Sequence, residues 1–173
     1  MGRGLCALLH GDQMLKLALR ASELTPEKAV QEKPLALAFV GDSVFDLYVR
    51  EYVRASGLNT HMLHREAVKF VSAHAQAEAF IAIEAQLTPQ EEYIYRRGRN
   101  TKPTTVPKNA GVKDYRSATG LETLVGYLFL TGQLERLDEL MERILTGTRQ
   151  DDGECEGKTE AKACAQQQTE TQG

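Results

Sequence analysis

Residues 34–54 read PLALAFVGDSVFDLYVREYVR, a stretch that is apolar nearly all the way round. Lys33-Pro34 restarts the chain there, and Gly57 supplies a natural left-handed stop. Leu35, Ala38, Phe39, Asp42, Phe45, Asp46, Val49 and Val53 recur at the i, i+3, i+4, i+7 spacing of one helical face. This helix is expected to organise the domain, with that face its most buried. Two carboxylates then lie inside an apolar stripe. An ionised carboxylate cannot be left alone in such a place, so it needs hydrogen bonds, a cation or a proton.

Toward the N-terminus, Thr25-Pro26-Glu27 predicts a capped short helix to about Gln31. A further short helix is expected around Met14–Ala21, and Met14 offers a second possible start. Toward the C-terminus, Asn59 or Thr60 can cap a helix carrying Met62, Leu63, Ala67, Phe70 and Val71. Ser72 opens an alanine-rich helix, AHAQAEAFIAIEAQL, either continuous with the one before or kinked at the serine. Thr88-Pro89-Gln90-Glu91 is a capping box and starts a helix ending near Arg97-Gly98. Residues 99–112 carry the breakers of a loop. Another helix follows from about Lys113 to Leu130, with Leu121, Leu124, Val125, Leu128 and Phe129 inward and Gly132 after it. Leu134–Leu145 is a last amphipathic helix. No segment alternates as a strand does, so the fold class is all-α. The expected organisation is an N-terminal extension (1–30), one helical domain (31–146) and a disordered acidic tail (147–173).

The chain of 173 residues, 42% hydrophobic and 26% charged, suits one globular domain. No apolar run nears the roughly 18 residues of a membrane span, and His10, Gly11 and Asp12 cut short the run that a signal peptide would need. Three cysteines, Cys6, Cys155 and Cys164, form neither a metal-ligand pattern nor a disulfide framework, which fits a cytoplasmic setting. The net charge of −3 comes entirely from the tail, with six acidic and three basic residues from Gly147 onward. Arg96 to Arg116, by contrast, holds seven basic residues against Asp114 alone. Overall charge therefore says little about partners.

Three features carry candidate chemistry. Asp42, with Asp46 one turn on, is the first; the plain alternative is a buried aspartate bonded to helix termini or an arginine. Glu122, in TGLETLVGYL, is the second, with Gly126 one turn on letting another helix approach; the plain alternative is a boundary glutamate. If the two helices pack together, Asp42 and Glu122 can share a magnesium ion, which keeps several waters and binds phosphate oxygens. The third feature is the basic segment Arg96–Asn100 (RRGRN) with Lys102, Lys108, Lys113 and Arg116, read as a flexible loop. Its cations with few aromatics suit a duplex backbone more than stacked single strands; a merely solvated loop is the alternative. His61, His64 and His74 lack the spacing of a zinc site. No phosphate-cradling glycine loop or serine-nucleophile elbow is found.

Taken together, PLALAFVGDSVFDLYVR, FVSAHAQAEAF, YRRGRN, TVPKN and YRSATGLETLVGYL resemble the successive motifs of Mini-ribonuclease III, over roughly residues 33–145. These are small ribonuclease III-like endonucleases without a separate double-stranded-RNA-binding domain. The resemblance implies a ribonuclease III-type helical domain acting as a homodimer, with no small-molecule cofactor. It implies that Asp42 and Glu122 are the catalytic, Mg²⁺-binding carboxylates. Arg96, Arg97, Arg99, Asn100 and Lys108 would then contact double-stranded RNA, including a ribosomal RNA precursor of the large subunit. Cleavage would leave 5′-phosphate and 3′-hydroxyl ends. Leu35 and Thr119 stand where full-length ribonuclease III has carboxylates, a loss the mini enzymes share. Asp46 stands where they commonly have glutamate and is expected to support the site from behind. The competing classes are an inactive duplex-RNA-binding or ribosome-associated dimer of the same fold, and a helical interaction protein.

Overall fold

The computed structural model describes residues 24–102 and 111–147. The expected helix near Met14–Ala21, Lys108 and the acidic tail lie outside the described residues. Seven helices occur among the described residues, with no strand: α1 (Pro26–Gln31), α2 (Pro34–Arg54), α3 (Thr60–Val71), α4 (Ala73–Ile83), α5 (Pro89–Arg99), α6 (Val112–Leu130) and α7 (Leu134–Gly147). A 3₁₀ turn, Glu84–Gln86, follows α4.

The helix ends follow local chemistry. Thr25 caps α1 by accepting from the Lys28 N–H. Asn59, rather than Thr60, caps α3 by accepting from Met62 N–H at 3.1 Å. Ser72 is extended (φ −69°, ψ 150°) and its hydroxyl accepts from Ala75 N–H, so α3 and α4 are two helices and not one. The capping box at Thr88 and Glu91 is formed in both directions. Gly57 and Gly132 take φ of +71°, ending α2 and α6.

The hub is α6, not α2. From Ala118 to Leu128 every residue of α6 except Glu122 is buried, and α2, α4, α5 and α7 all pack on it. A helix enclosed on every side is apolar all round. The Ala118–Leu128 segment meets that rule, with Thr119 and Thr123 returning their hydroxyls to carbonyls one turn back. The apolar ring of α2 has another cause. Its inward face is Leu37, Ala38, Gly41, Val44, Phe45, Val49 and Val53. Three of the eight residues in the stripe expected to be buried point outward: Phe39 is 79% exposed, Leu35 39%, and Asp42 is exposed beside them. Apolar residues on both sides of a helix leave its inward face undecided. The close approach of α6 settles it.

Two polar contacts tie the far helix to this core. Arg136 of α7 grips Glu91 through both carboxylate oxygens at 2.9 and 3.1 Å and donates to Gln86 O at 2.7 Å. Burial pushes the Glu91 carboxyl up, but the Arg136 guanidinium and the Thr88 N–H outweigh it and hold it below the usual range. Tyr48 of α2 donates to Asp138 of α7.

Candidate active site

Asp42 and Glu122 meet where α2 crosses α6, and glycine sets that crossing. A Cβ built on Gly41 would lie 1.8 Å from Glu122 O, and one on Gly126 would lie 2.0 Å from Leu37 O. Both contacts are with backbone atoms, which cannot swing aside. The two helices therefore touch main chain to main chain, as Gly126 in the sequence implied. Asp42, next to Gly41, and Glu122, whose own carbonyl fills the space above Gly41, are brought to one spot by that contact.

Their surroundings differ. Glu122 is half-buried, and its carboxyl is pushed up to about 7: by burial first, by the Asp42 charge second, with the Gln76 side chain bonding to it and pulling the other way. Asp42 is exposed at the rim. Two carboxylates whose charges act on each other, one partly deprived of water, gain from a hard cation between them. No group of three or more His, Cys, Asp or Glu side chains able to hold a metal occurs among the described residues. Two carboxylates suit an ion that keeps most of its waters, as magnesium does, and not one that demands a full protein cage. The donor set fits Mg²⁺.

Asp46 is half-buried on the same side of α2 and bonds the Arg50 guanidinium at 2.5 Å. The helix expected to end near Arg97-Gly98 runs on to Arg99, so the basic segment is mostly helix and not the flexible loop also expected of it. Arg96–Arg99 form the last turn of α5, and Asn100 is its C-cap. Gly98 is there for packing: a Cβ on it would lie 2.2 Å from Thr123 Oγ1. The helix also sorts the arginines. Arg96 pairs with Glu92 one turn back. Arg97 turns inward, donating to Glu32 O at 2.9 Å and to Val30 O, where α1 ends. Arg99 and Asn100 are exposed and line a cleft of about 340 Å³ with Lys113 and Arg116 from the start of α6. A second cleft of about 510 Å³ adjoins it, where His74 Nδ1 lies 3.1 Å from Asp114 and Nε2 lies 3.3 Å from Glu78. Neither cleft is lined by Asp42 or Glu122.

Sequence reasoning passed over Gln76, a polar side chain only 2% exposed, on the face of α4 that packs against α6. The signal was present: Gln76 precedes Ala79, Phe80 and Ile83 at i+3, i+4 and i+7, the buried face of α4.

Comparison with known proteins bears on the chain as a whole. The Ribonuclease III domain family matches residues 35–133. A Mini-ribonuclease 3 of Clostridium tetani is 39% identical over 140 residues, covering 78% of this chain and 93% of its own. The Thermoanaerobacter Mini-ribonuclease 3 is 47% identical over 120 residues, covering 69% and 84%. That of Enterococcus faecalis reaches 51% over 110 residues, covering 62% and 83%. Among solved structures, the crystal structure of protein FN1578 from Fusobacterium nucleatum superposes with a TM-score of 0.62 at 28% identity, covering 68% of this chain and 94% of that one. With its all-α fold and this breadth of match, the chain belongs to the Mini-ribonuclease 3 family, within the ribonuclease III domain proteins, and is an endoribonuclease.

Proposed function

We propose how this ribonuclease III-type enzyme cleaves double-stranded RNA: Asp42 and Glu122 together hold Mg²⁺ at the α2–α6 crossing, and the basic rim seats the duplex. The observation that carries it is the half-buried Glu122 carboxyl beside Asp42, held by touching backbones. When bound, the ion activates a water and neutralises charge on the phosphodiester under attack. Glu122 contributes a partly desolvated carboxylate, whose attraction for a cation is strong because little water competes. Asp42, at the exposed rim, is open to a phosphate on a rigid duplex. Asp46 keeps its tie to Arg50 and supports Asp42 through the helix they share.

Arg96, Arg99 and Asn100 contact phosphates and 2′-hydroxyls of the A-form duplex, with Lys113 and Arg116 beside them and Lys108 joining from the adjoining segment. Arg97, engaged with α1, contributes mainly field. Such binding weakens steeply with salt. The protein acts as a homodimer, and the outward apolar residues of α2 support this: Phe39 (79% exposed), Leu47 (62%) and Leu35 (39%) have no partner among the described helices that buries them. An isologous pair of such faces gives two cutting sites per duplex, one for each strand. The substrate is a large-subunit ribosomal RNA precursor in the cytoplasm, and the products carry 5′-phosphate and 3′-hydroxyl ends. No helix among the described residues is long and apolar enough to cross a membrane.

One assay tests this. Purified protein on labelled duplex RNA should cut with Mg²⁺ and stop with chelator. Asp42→Asn should lose at least about a thousandfold in rate while still binding duplex. Wild-type-like cutting by that variant would remove Asp42 from the mechanism. Duplex binding with no Mg²⁺-dependent cutting by the wild type would favour the inactive-dimer alternative.

A further inference from the structure

The geometry points to His74 as a protonation-dependent latch for the duplex-binding rim: its imidazolium ties α4 to the start of α6, neutralises Asp114 there, and so lets Lys113 and Arg116 receive phosphates. This role rests on the proposed seating of double-stranded RNA at that rim. It begins with a charge out of place. Asp114 is the single acid against seven basic residues from Arg96 to Arg116, and it stands in the first turn of α6, between Lys113 and Arg116. A carboxylate at a helix N-terminus favours the helix. Within a Debye length of about 8 Å it also repels an incoming phosphate. What meets Asp114 is His74 of α4, 40 residues away in sequence, whose Nδ1 lies 3.1 Å from Asp114 Oδ2.

Both ring nitrogens of His74 face carboxylates, since Nε2 lies 3.3 Å from Glu78 Oε1 on the same helix. A carboxylate only accepts hydrogen bonds, and neutral imidazole carries one N–H. The two contacts therefore hold together only when the ring is protonated. Loss of that proton sets a nitrogen lone pair against a carboxylate oxygen and releases one of them. The surrounding cleft favours the proton. Four carboxylates line it, Glu78 of α4, Glu84 of the 3₁₀ turn, Glu92 of α5 and Asp114 of α6. Three fixed cations answer them, Arg96 and Arg99 of α5 and Lys113 of α6, with the Tyr95 hydroxyl beside them. The hydrogen bond to Asp114, then the charges of Glu78 and Asp114, raise His74 above the ordinary 6.5. The ring is 71% exposed and so exchanges its proton freely with solvent. With the latch closed, Lys113 and Arg116 share their cleft with Arg99 and Asn100 and no bare acid. With it open, Asp114 stands beside both as a free negative charge.

The test is duplex RNA binding in chelator, read by fluorescence anisotropy at pH 6 and pH 8.5 at constant ionic strength. Other titrating groups, Glu122 included, contribute alike in every variant, so the ratio of the two affinities is compared between variants. His74→Gln should bind like wild type at pH 8.5 and about fivefold more weakly at pH 6. Asp114→Asn should tighten binding at pH 8.5, and the double variant should shrink the ratio no further than His74→Gln does. A His74→Gln ratio equal to that of wild type would overturn the latch. Arg99→Ala and Arg116→Ala in one chain test the rim itself. If that variant binds like wild type at both pH values, the seating of the duplex there fails, and the latch with it. If it loses affinity while His74→Gln keeps the wild-type ratio, the latch alone falls. Linkage adds a readout without substitution: RNA that prefers the protonated form must raise the midpoint of the His74 ring signals in an NMR titration. A midpoint unmoved by saturating duplex would overturn the coupling.

Discussion

The two helices that supply the candidate metal ligands are opposites. Helix α6 is enclosed along Ala118–Leu128, and the acid within that stretch, Glu122, is pushed up to about 7. Helix α2 has one face in the core and one outside, with Asp42 on the rim beside Phe39. Both helices are strongly apolar, so hydrophobicity alone does not distinguish a hub from a helix with an unpartnered face. What differs is the number of neighbours. The same pairing of an acid with an apolar helix therefore gives a desolvated carboxyl in one case and a hydrated one in the other. The contrast suits a site that must hold a cation firmly and still meet a bulky polyanion.

The strongest way to break this arrangement is at the crossing. Gly126→Ala would drive a methyl into Leu37 O, so we expect a loss of about 3 kcal/mol or more, read by urea unfolding. A wild-type midpoint would mean the helices can separate cheaply.

The second test sharpens the difference between the acids. Glu122 titrates at about 7 in the fold against an ordinary value of 4.5. Between those pH values the native chain holds a proton that the unfolded chain has lost. The resulting contribution to metal-free stability is fully present below about pH 4.5 and disappears as pH rises through 7. Its size is on the order of 3 kcal/mol. Unfolding across a pH series in chelator should show this decline in the wild type and a flatter profile in Glu122→Gln. Added Mg²⁺ should recover stability above pH 7 by binding the native state.

The outward face of α2 gives the third. Phe39→Asp should weaken self-association by about 30-fold, or roughly 2 kcal/mol, in sedimentation, with little change in monomer unfolding. An unchanged assembly would leave that face without a role in pairing.

The smallest effect is expected away from the crossing, at His74. Its hydrogen bond to Asp114, then the charges of Glu78 and Asp114, raise it above the ordinary 6.5. The contribution of this exposed cluster is present below pH 6.5 and fades as pH rises through the raised value. His74→Ala should lower the melting temperature slightly at pH 6 and leave it unchanged at pH 9.

Much of this was legible in the residues. The helix-starting patterns at Thr25, Ser72 and Thr88 act at short range, and each forms the cap its sequence announces. Gly126 announced a close helix approach, and the approach is there. The inward face of α2 was not legible, because Leu35 and Phe39 are as apolar as Leu37 and Val44, and periodicity ranks both faces alike. The helix was expected to stop near Arg97-Gly98 and RRGRN to serve as a loop, whereas the helix runs on through Arg99. Glycine and asparagine suggest a loop, whereas Gly98 is required by Thr123 across the packing, a partner distant in sequence. Asp42 and Glu122 were joined by family resemblance; eighty residues of chain separate them, and no local rule spans that distance.

Arg97 has a consequence for any mutational scan of the basic segment. Its guanidinium closes α1 onto the body through Val30 O and Glu32 O, so Arg97→Ala should lower both the melting temperature and RNA affinity. Arg99→Ala should lower affinity alone. A triple substitution across Arg96, Arg97 and Arg99 would therefore confound an undocked helix with lost phosphate contacts. The two effects separate in salt: a change in the slope of affinity against ionic strength counts phosphates, whereas an undocked α1 shows as a stability deficit that persists without RNA.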